Sequence, residues 1–173
     1  MSSPAGRSGI FPAFIGLGSN LHQPAEQVLQ AMEALSTLPQ TRLVRGSSLY
    51  LSAPVGFQEQ PDFINAVAHI ETGLSPRALL AALLDLEHRH GRVRARRNGP
   101  RVIDLDLLLH ADLCCEEPGL SLPHPRMHER AFVLQPLAEI APDCRIPGQG
   151  LAVDCLRACD DQFVARWQPG DRV

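Results

Sequence analysis

Between Phe14 and Leu109 the chain reads strand, helix, strand, strand, helix, strand. That order predicts an α+β fold of the ferredoxin-like, split βαβ type: a βαββαβ core with an antiparallel sheet, followed by a C-terminal extension of helices and loops. Three observations carry it. Two apolar stretches repeat at helical spacing, each with Pro in its first turn. Short runs rich in β-formers lie between and around them, and clusters of Gly, Pro and Ser punctuate the boundaries. With 173 residues and 45% hydrophobic side chains, the chain has material for one core. Residues 1–11, rich in Ser, Gly and Pro, are expected to be a disordered leader, and residues 12–173 a single domain.

The elements follow in order. Phe14 to Leu17 is a short strand that runs into the turn cluster Gly18-Ser19-Asn20. A helix starts at Pro24, with Glu26 near its positive end and Val28, Met32 and Leu35 on its buried face. Thr41 to Leu51 is a strand, Ser52 to Asp62 a loop broken by Pro54, Gly56 and Pro61, and Phe63 to Ile70 a strand again. Ser75-Pro76 caps and opens a second helix, lined by Leu79, Leu83 and Leu86 and ended by Gly91. Arg92 to Arg101 is a charged loop, and Val102 to Leu109 is the clearest strand. From about Leu120 come Pro-rich loops and two helices, near Arg130 to Glu139 and Val153 to Cys159.

Composition narrows the function. The net charge of −3 argues against a general polyanion binder. There is no lysine, so all 16 basic residues are arginines, planar forks suited to carboxylate or phosphate, and a Walker A loop is excluded. Five cysteines, an odd number without a CxxC, fit a reducing cytoplasm rather than a disulfide framework. No stretch has the length of a membrane span or the apolar run of a signal peptide.

The strongest chemical signal is Asp104-Leu105-Asp106. On a strand, residues two apart share a face, about 6.5–7 Å from one another. Ile103, Leu105, Leu107 and Leu109 then face the core while both carboxylates project to the other side, where they can hold one or two Mg²⁺ ions. Alone, an Asp-x-Asp is more often a solvated pair; its apolar flanks here point to a site set into a buried strand. Just before it, five arginines (Arg92, Arg94, Arg96, Arg97 and Arg101) crowd a loop containing Gly99-Pro100. Such a loop suits a lid over a polyphosphate, held by guanidinium forks on one side and metal on the other.

The stretch Gly91-Arg92-Val93-Arg94, with Asn98-Gly99-Pro100-Arg101-Val102-Ile103-Asp104-Leu105-Asp106, closely resembles the signature of the hydroxymethyldihydropterin pyrophosphokinases of folate synthesis. Three further motifs are collinear with it: Ile15-Gly16-Leu17-Gly18-Ser19-Asn20, Gln60-Pro61-Asp62-Phe63-Ile64-Asn65, and Pro123-His124-Pro125-Arg126-Met127 with Arg130 and Phe132. The resemblance implies transfer of the β,γ-diphosphate of ATP to the hydroxymethyl group of 6-hydroxymethyl-7,8-dihydropterin, releasing AMP. It implies two Mg²⁺ ions on Asp104 and Asp106, and phosphate contacts from Arg92, Arg94 and Arg101. It places Glu87, Ile103, His124 and Arg130 at the ATP site, and Ser52, Ala53, Val55, Phe63, Asn65 and Phe132 at the pterin site. It leaves association with other folate-pathway enzymes open, and it implies neither a nucleic-acid nor a membrane partner.

Departures from the familiar pattern fall at Asn98, where relatives can carry Trp, and at Pro125, Leu84 and Phe63, where they can carry Tyr, Gln and Tyr. They bear on lid stacking and adenosine contacts, and none removes a metal ligand or phosphate arginine. A rival reading, an RNA-binding module built on the arginine loop, needs stacked aromatics on the sheet. One Trp, one Tyr and six Phe are too few to supply such a cluster. His124 and His128 form H-x₃-H, half of a zinc site, but no second pair stands at suitable spacing.

Overall fold

The computed structural model describes residues 9–56, 58–90 and 102–173. The expected arginine loop, with Arg92, Arg94, Arg96, Arg97, Asn98 and Arg101, lies outside the described residues, as does the helix-ending Gly91.

The core follows the expected βαββαβ order with its second strand divided in two: β1 (Phe11–Ser19), α1 (Pro24–Ala34), β2 (Thr41–Gly46), β3 (Tyr50–Ser52), β4 (Phe63–Thr72), α2 (Pro76–Arg89) and β5 (Asp104–His110). All pairings in the sheet are antiparallel, with β4 at its centre and β1 between β4 and the edge strand β5. Ser75 caps α2 as its sequence position predicts, its hydroxyl accepting from the Ala78 N–H at 3.2 Å. Strand β1 opens at Phe11, which pairs with Thr72.

Helices α1 and α2 cover one face of the sheet. Val28, Met32, Leu79, Leu83 and Leu86 pack there on Ile15, Leu17, Ile64, Leu105 and Leu107. Each such side chain stabilises the fold by about 1.5–3 kcal/mol through burial. The opposite face is covered by α3 (Ala131–Ile140), whose Leu134 and Leu137 pack with Val67 and Leu108.

The structure corrects two local expectations. The strand expected from Thr41 to Leu51 is two strands, both paired with β4. Ser47 interrupts it: its N–H donates to the Val67 carbonyl and its hydroxyl accepts from the Val67 N–H, both at 2.9 Å. The side chain thus takes the ladder position of a carbonyl and frees the backbone to turn. The alternation of β5 also breaks. Phe14 pairs with Leu109 but Ile15 with Leu107, so Leu108 is an extra residue in a bulge. Leu109 therefore joins the α3 side instead of sharing the core face of Leu105 and Leu107.

The extension holds more strand than expected. A hairpin of β6 (Cys115–Glu117) and β7 (Leu120–Leu122) precedes α3. A short pair, β8 (Arg145–Ile146) and β9 (Gly150–Leu151), leads into α4 (Ala152–Arg157). Last comes β10 (Val164–Arg166), which pairs with β3 and extends the main sheet. No helix among the described residues is long and apolar enough to cross a membrane.

Candidate active site

Two cavities meet at Asp104 and Asp106, which line both. In the sheet Asp104 stands opposite Gly18 and Asp106 opposite Gly16. The neighbouring strand puts no side chain beside either carboxylate, which keeps the floor open. A pair of hard oxygen donors two residues apart fits a divalent cation such as Mg²⁺. No group of three or more His, Cys, Asp or Glu is disposed to hold a metal among the described residues.

The first cavity is a mostly apolar pocket. It brings together all six residues expected to hold the flat ring: Ser52 and Ala53 at the end of β3, Val55 beyond it, Phe63 and Asn65 in β4, and Phe132 in α3. Asn65 is buried, and its Nδ2 donates to the Ser52 Oγ at 2.7 Å, with the Tyr50 carbonyl at 3.5 Å. The amide is thereby oriented, and Oδ1 lies on the side of Gly18, 3.3 Å from where a Cβ there would sit. Two of the sequence motifs are tied together at the rim. Asn20 Nδ2 donates to the Gln60 Oε1 at 2.9 Å and to the Pro61 carbonyl at 3.0 Å, which anchors the loop before Phe63.

The second cavity is a more polar cleft beneath α2 and β7. Of the residues expected at the nucleotide, Glu87, His124 and Arg130 line it. Glu87 is 2% exposed, and its Oε1 accepts from the Leu105 N–H at 2.7 Å, gripping β5 between the two aspartates. His124 is held down to about 4, first by burial and then by the Arg130 and Arg126 charges against the opposing pull of Asp104. It is neutral at physiological pH. Its Nδ1 accepts from the Arg126 N–H at 3.1 Å, so the proton sits on Nε2, available as a donor. Ile103 is not brought to the cleft: its side chain is fully buried in the α1–α2 core, and any nucleotide contact falls to its backbone. Leu84, at the position where relatives can carry Gln, lines the cleft beside Leu80.

The structure adds residues to which the sequence reading assigns no role. Arg126 lines the apolar pocket with Arg130, and Gly16 and Gly18 form its floor. The glycines do have a sequence signal, since both lie in the Gly-x-Gly of the first motif, two residues apart and so on one face of a strand.

An aromatic-walled pocket and an arginine-and-imidazole cleft that share a carboxylate pair define a class of enzyme: a transferase that brings a flat acceptor to the phosphates of a nucleotide. Residues 14–142 match the family model for 7,8-dihydro-6-hydroxymethylpterin-pyrophosphokinase (HPPK). The chain belongs to this family. It is 46% identical over 153 residues to the 2-amino-4-hydroxy-6-hydroxymethyldihydropteridine pyrophosphokinase of Pseudomonas aeruginosa, covering 88% of this chain and 94% of that protein. It is 45% identical over 157 residues to the Haemophilus influenzae protein of the same name, covering 91% and 98%. Among solved structures, the fold matches Plasmodium falciparum HPPK-DHPS wild type with pteroate at a TM-score of 0.70 and 13% identity, covering 91% of this chain. The chain spans 43% of the length of that protein.

Proposed function

We propose that this protein transfers the β,γ-diphosphate of ATP to the hydroxymethyl oxygen of 6-hydroxymethyl-7,8-dihydropterin in folate synthesis. The observation that carries the reading is the meeting of the two cavities at Asp104 and Asp106. A ring in the pocket and a triphosphate in the cleft would bring their reacting atoms together there.

In the reaction the acceptor hydroxyl gives up its proton to solvent, its oxygen forms a bond to the β-phosphorus, the bond between that phosphorus and the α-bridging oxygen breaks, and AMP leaves. Phe63 and Phe132 give the ring apolar walls, and the Asn65 Oδ1, oriented by Ser52, accepts from the donors on its polar edge. His124 donates from Nε2 toward the nucleotide, and Arg130, which lines both cavities, lies where guanidinium and phosphate can pair. Arg92, Arg94 and Arg101 join the proposal as phosphate contacts through the family motif. Asp104 and Asp106 would hold two Mg²⁺ ions. Bound there, Mg²⁺ supplies positive charge against the phosphates. The cytoplasm, where the cysteine usage points, is the proposed location.

The test is to supply ATP, Mg²⁺ and hydroxymethyldihydropterin and identify the products. AMP and a pterin diphosphate in equal amounts are expected. Stoichiometric ADP would make this an ordinary kinase and sink the reading.

A further inference from the structure

The family match ends at residue 142, and the chain beyond it supplies none of the groups assigned above. One side chain there nevertheless reaches back to the site. Gln162 stands in the turn before β10, its own N–H donating to the Cys159 carbonyl at 3.1 Å. Its Oε1 accepts from the Ala131 N–H at 2.9 Å, and its Nε2 donates to the Glu129 carbonyl at 2.7 Å. A single amide thus grips the backbone immediately before and immediately after Arg130.

We propose that Gln162 is a positioning residue that sets the direction of Arg130 at the junction of the two cavities. The inference rests on the reading of Arg130 as a substrate-side group. Arg130 is the joint between a 3-10 turn (Met127–Glu129) and α3, with extended backbone at φ −119 and ψ 106. It lends no side-chain cap to α3, so the first N–H groups of that helix need a partner from elsewhere. Gln162 provides one from 31 residues away. Gln162 braces this joint beside the bond from the Arg130 N–H to the Met127 carbonyl at 3.3 Å, and a change in the angle of the joint would swing the guanidinium away from the region shared by pocket and cleft. Arg130 also lies over Phe132, 5.6 Å from guanidinium carbon to ring centroid, so its placement is coupled to the pocket wall. The far side of Gln162 is anchored as well: Val164, two residues on, pairs with Ser52, the hydroxyl that orients Asn65. The amide serves both bonds, whereas a carboxylate lacks the donor and an ammonium the acceptor.

The experiment measures AMP release for wild type, Gln162→Ala, Arg130→Ala and the double variant. Gln162 is exposed but the Ala131 N–H it caps is buried, so its replacement should leave the fold intact and lower the melting temperature. Gln162→Ala should lower kcat/KM about tenfold, the scale that two ordinary hydrogen bonds support. In the Arg130→Ala background it should cause no further loss, because its effect passes through that side chain. Gln162→Glu, which keeps the acceptor for Ala131, should fall between wild type and Gln162→Ala. Wild-type kinetics in Gln162→Ala, or a loss that adds in full to that of Arg130→Ala, would overturn the proposal. A wild type that releases no AMP would instead sink the functional reading on which it rests.

Discussion

The Asn65 amide donates to the Ser52 hydroxyl at 2.7 Å, where β3 and β4 run side by side behind the apolar pocket. Ser52 is thus more than lining, because it decides which end of the Asn65 amide faces the pocket. Ser52→Ala should leave that orientation unspecified and raise the pterin Kd about tenfold while ATP affinity stays near wild type. The stability cost should be about 1–2 kcal/mol, from a buried donor that keeps only the long contact to Tyr50. Calorimetric titration of each ligand separates these outcomes. Equal weakening of pterin and ATP would contradict the assignment.

The two floor glycines should respond differently to a methyl group. A Cβ on Gly18 would sit 3.3 Å from the Asn65 Oδ1 and 3.9 Å from Phe63, whereas one on Gly16 would first meet the apolar side chain of Leu108, at 3.5 Å. The first crowds the polar contact of the pocket; the second is ordinary packing. Gly18→Ala should therefore weaken pterin binding by more than Gly16→Ala, and both should fold. Competition binding with a fluorescent pterin reads the difference, and the reverse order would show that the floor is not shaped for the ring.

Glu87 should matter through β5. Its Oε1 receives the Leu105 N–H between the two aspartates, in a position 2% exposed. Glu87→Gln retains an acceptor and should fold with near-wild-type stability. Glu87→Leu leaves a buried N–H unsatisfied and should cost about 1–3 kcal/mol in urea unfolding. If Glu87→Leu were as stable as Glu87→Gln, the bond to Leu105 would not be holding the strand.

The carboxylate pair gives a prediction on metal removal. Chelation of divalent ions, or Asp104→Asn or Asp106→Asn, should abolish turnover and leave pterin binding largely intact. Electrostatic terms of this kind are worth several kcal/mol in the transition state. Near-wild-type turnover in either variant at saturating Mg²⁺ would remove that residue from the metal site.

A pH dependence of stability follows from Glu139. This carboxylate in α3 accepts from the Tyr50 hydroxyl at 2.7 Å and from the Ser48 N–H and hydroxyl at 3.0 and 2.9 Å, and lies 3.5 Å from Arg166. Burial pushes it up, but the bonds from Tyr50 and Ser48 and the Arg166 charge outweigh that and hold it below the usual value of 4.5. With the folded value depressed, the unfolded chain binds more protons in acid. The stabilisation is therefore present above the unfolded value and lost as pH falls through the folded one. Wild type should exceed Glu139→Gln by about 1–3 kcal/mol at neutral pH, the scale of hydrogen bonds to a charged group. The gap should narrow below the 4.5 of an ordinary glutamate. Urea unfolding at neutral and acidic pH measures it, and a gap independent of pH would show that the charge contributes nothing.

The sequence by itself determined the alternation of strands and helices in the core, the cap at Ser75, and the shared face of Asp104 and Asp106. Those features rest on local chemistry: periodicity records which face is buried, and a strand of period two carries neighbouring acids to one side. Tertiary structure decided the rest. The bulge at Leu108 depends on the register between β1 and β5, which periodicity within one strand cannot encode. The break at Ser47 comes from a hydroxyl meeting Val67 across the sheet. Glu139 and Ser48 are 91 residues apart, and Gln162 and Ala131 are 31 apart. A lone polar side chain carries no periodic signal, and its partner is chosen only when the packed helices and the sheet edge bring the two together.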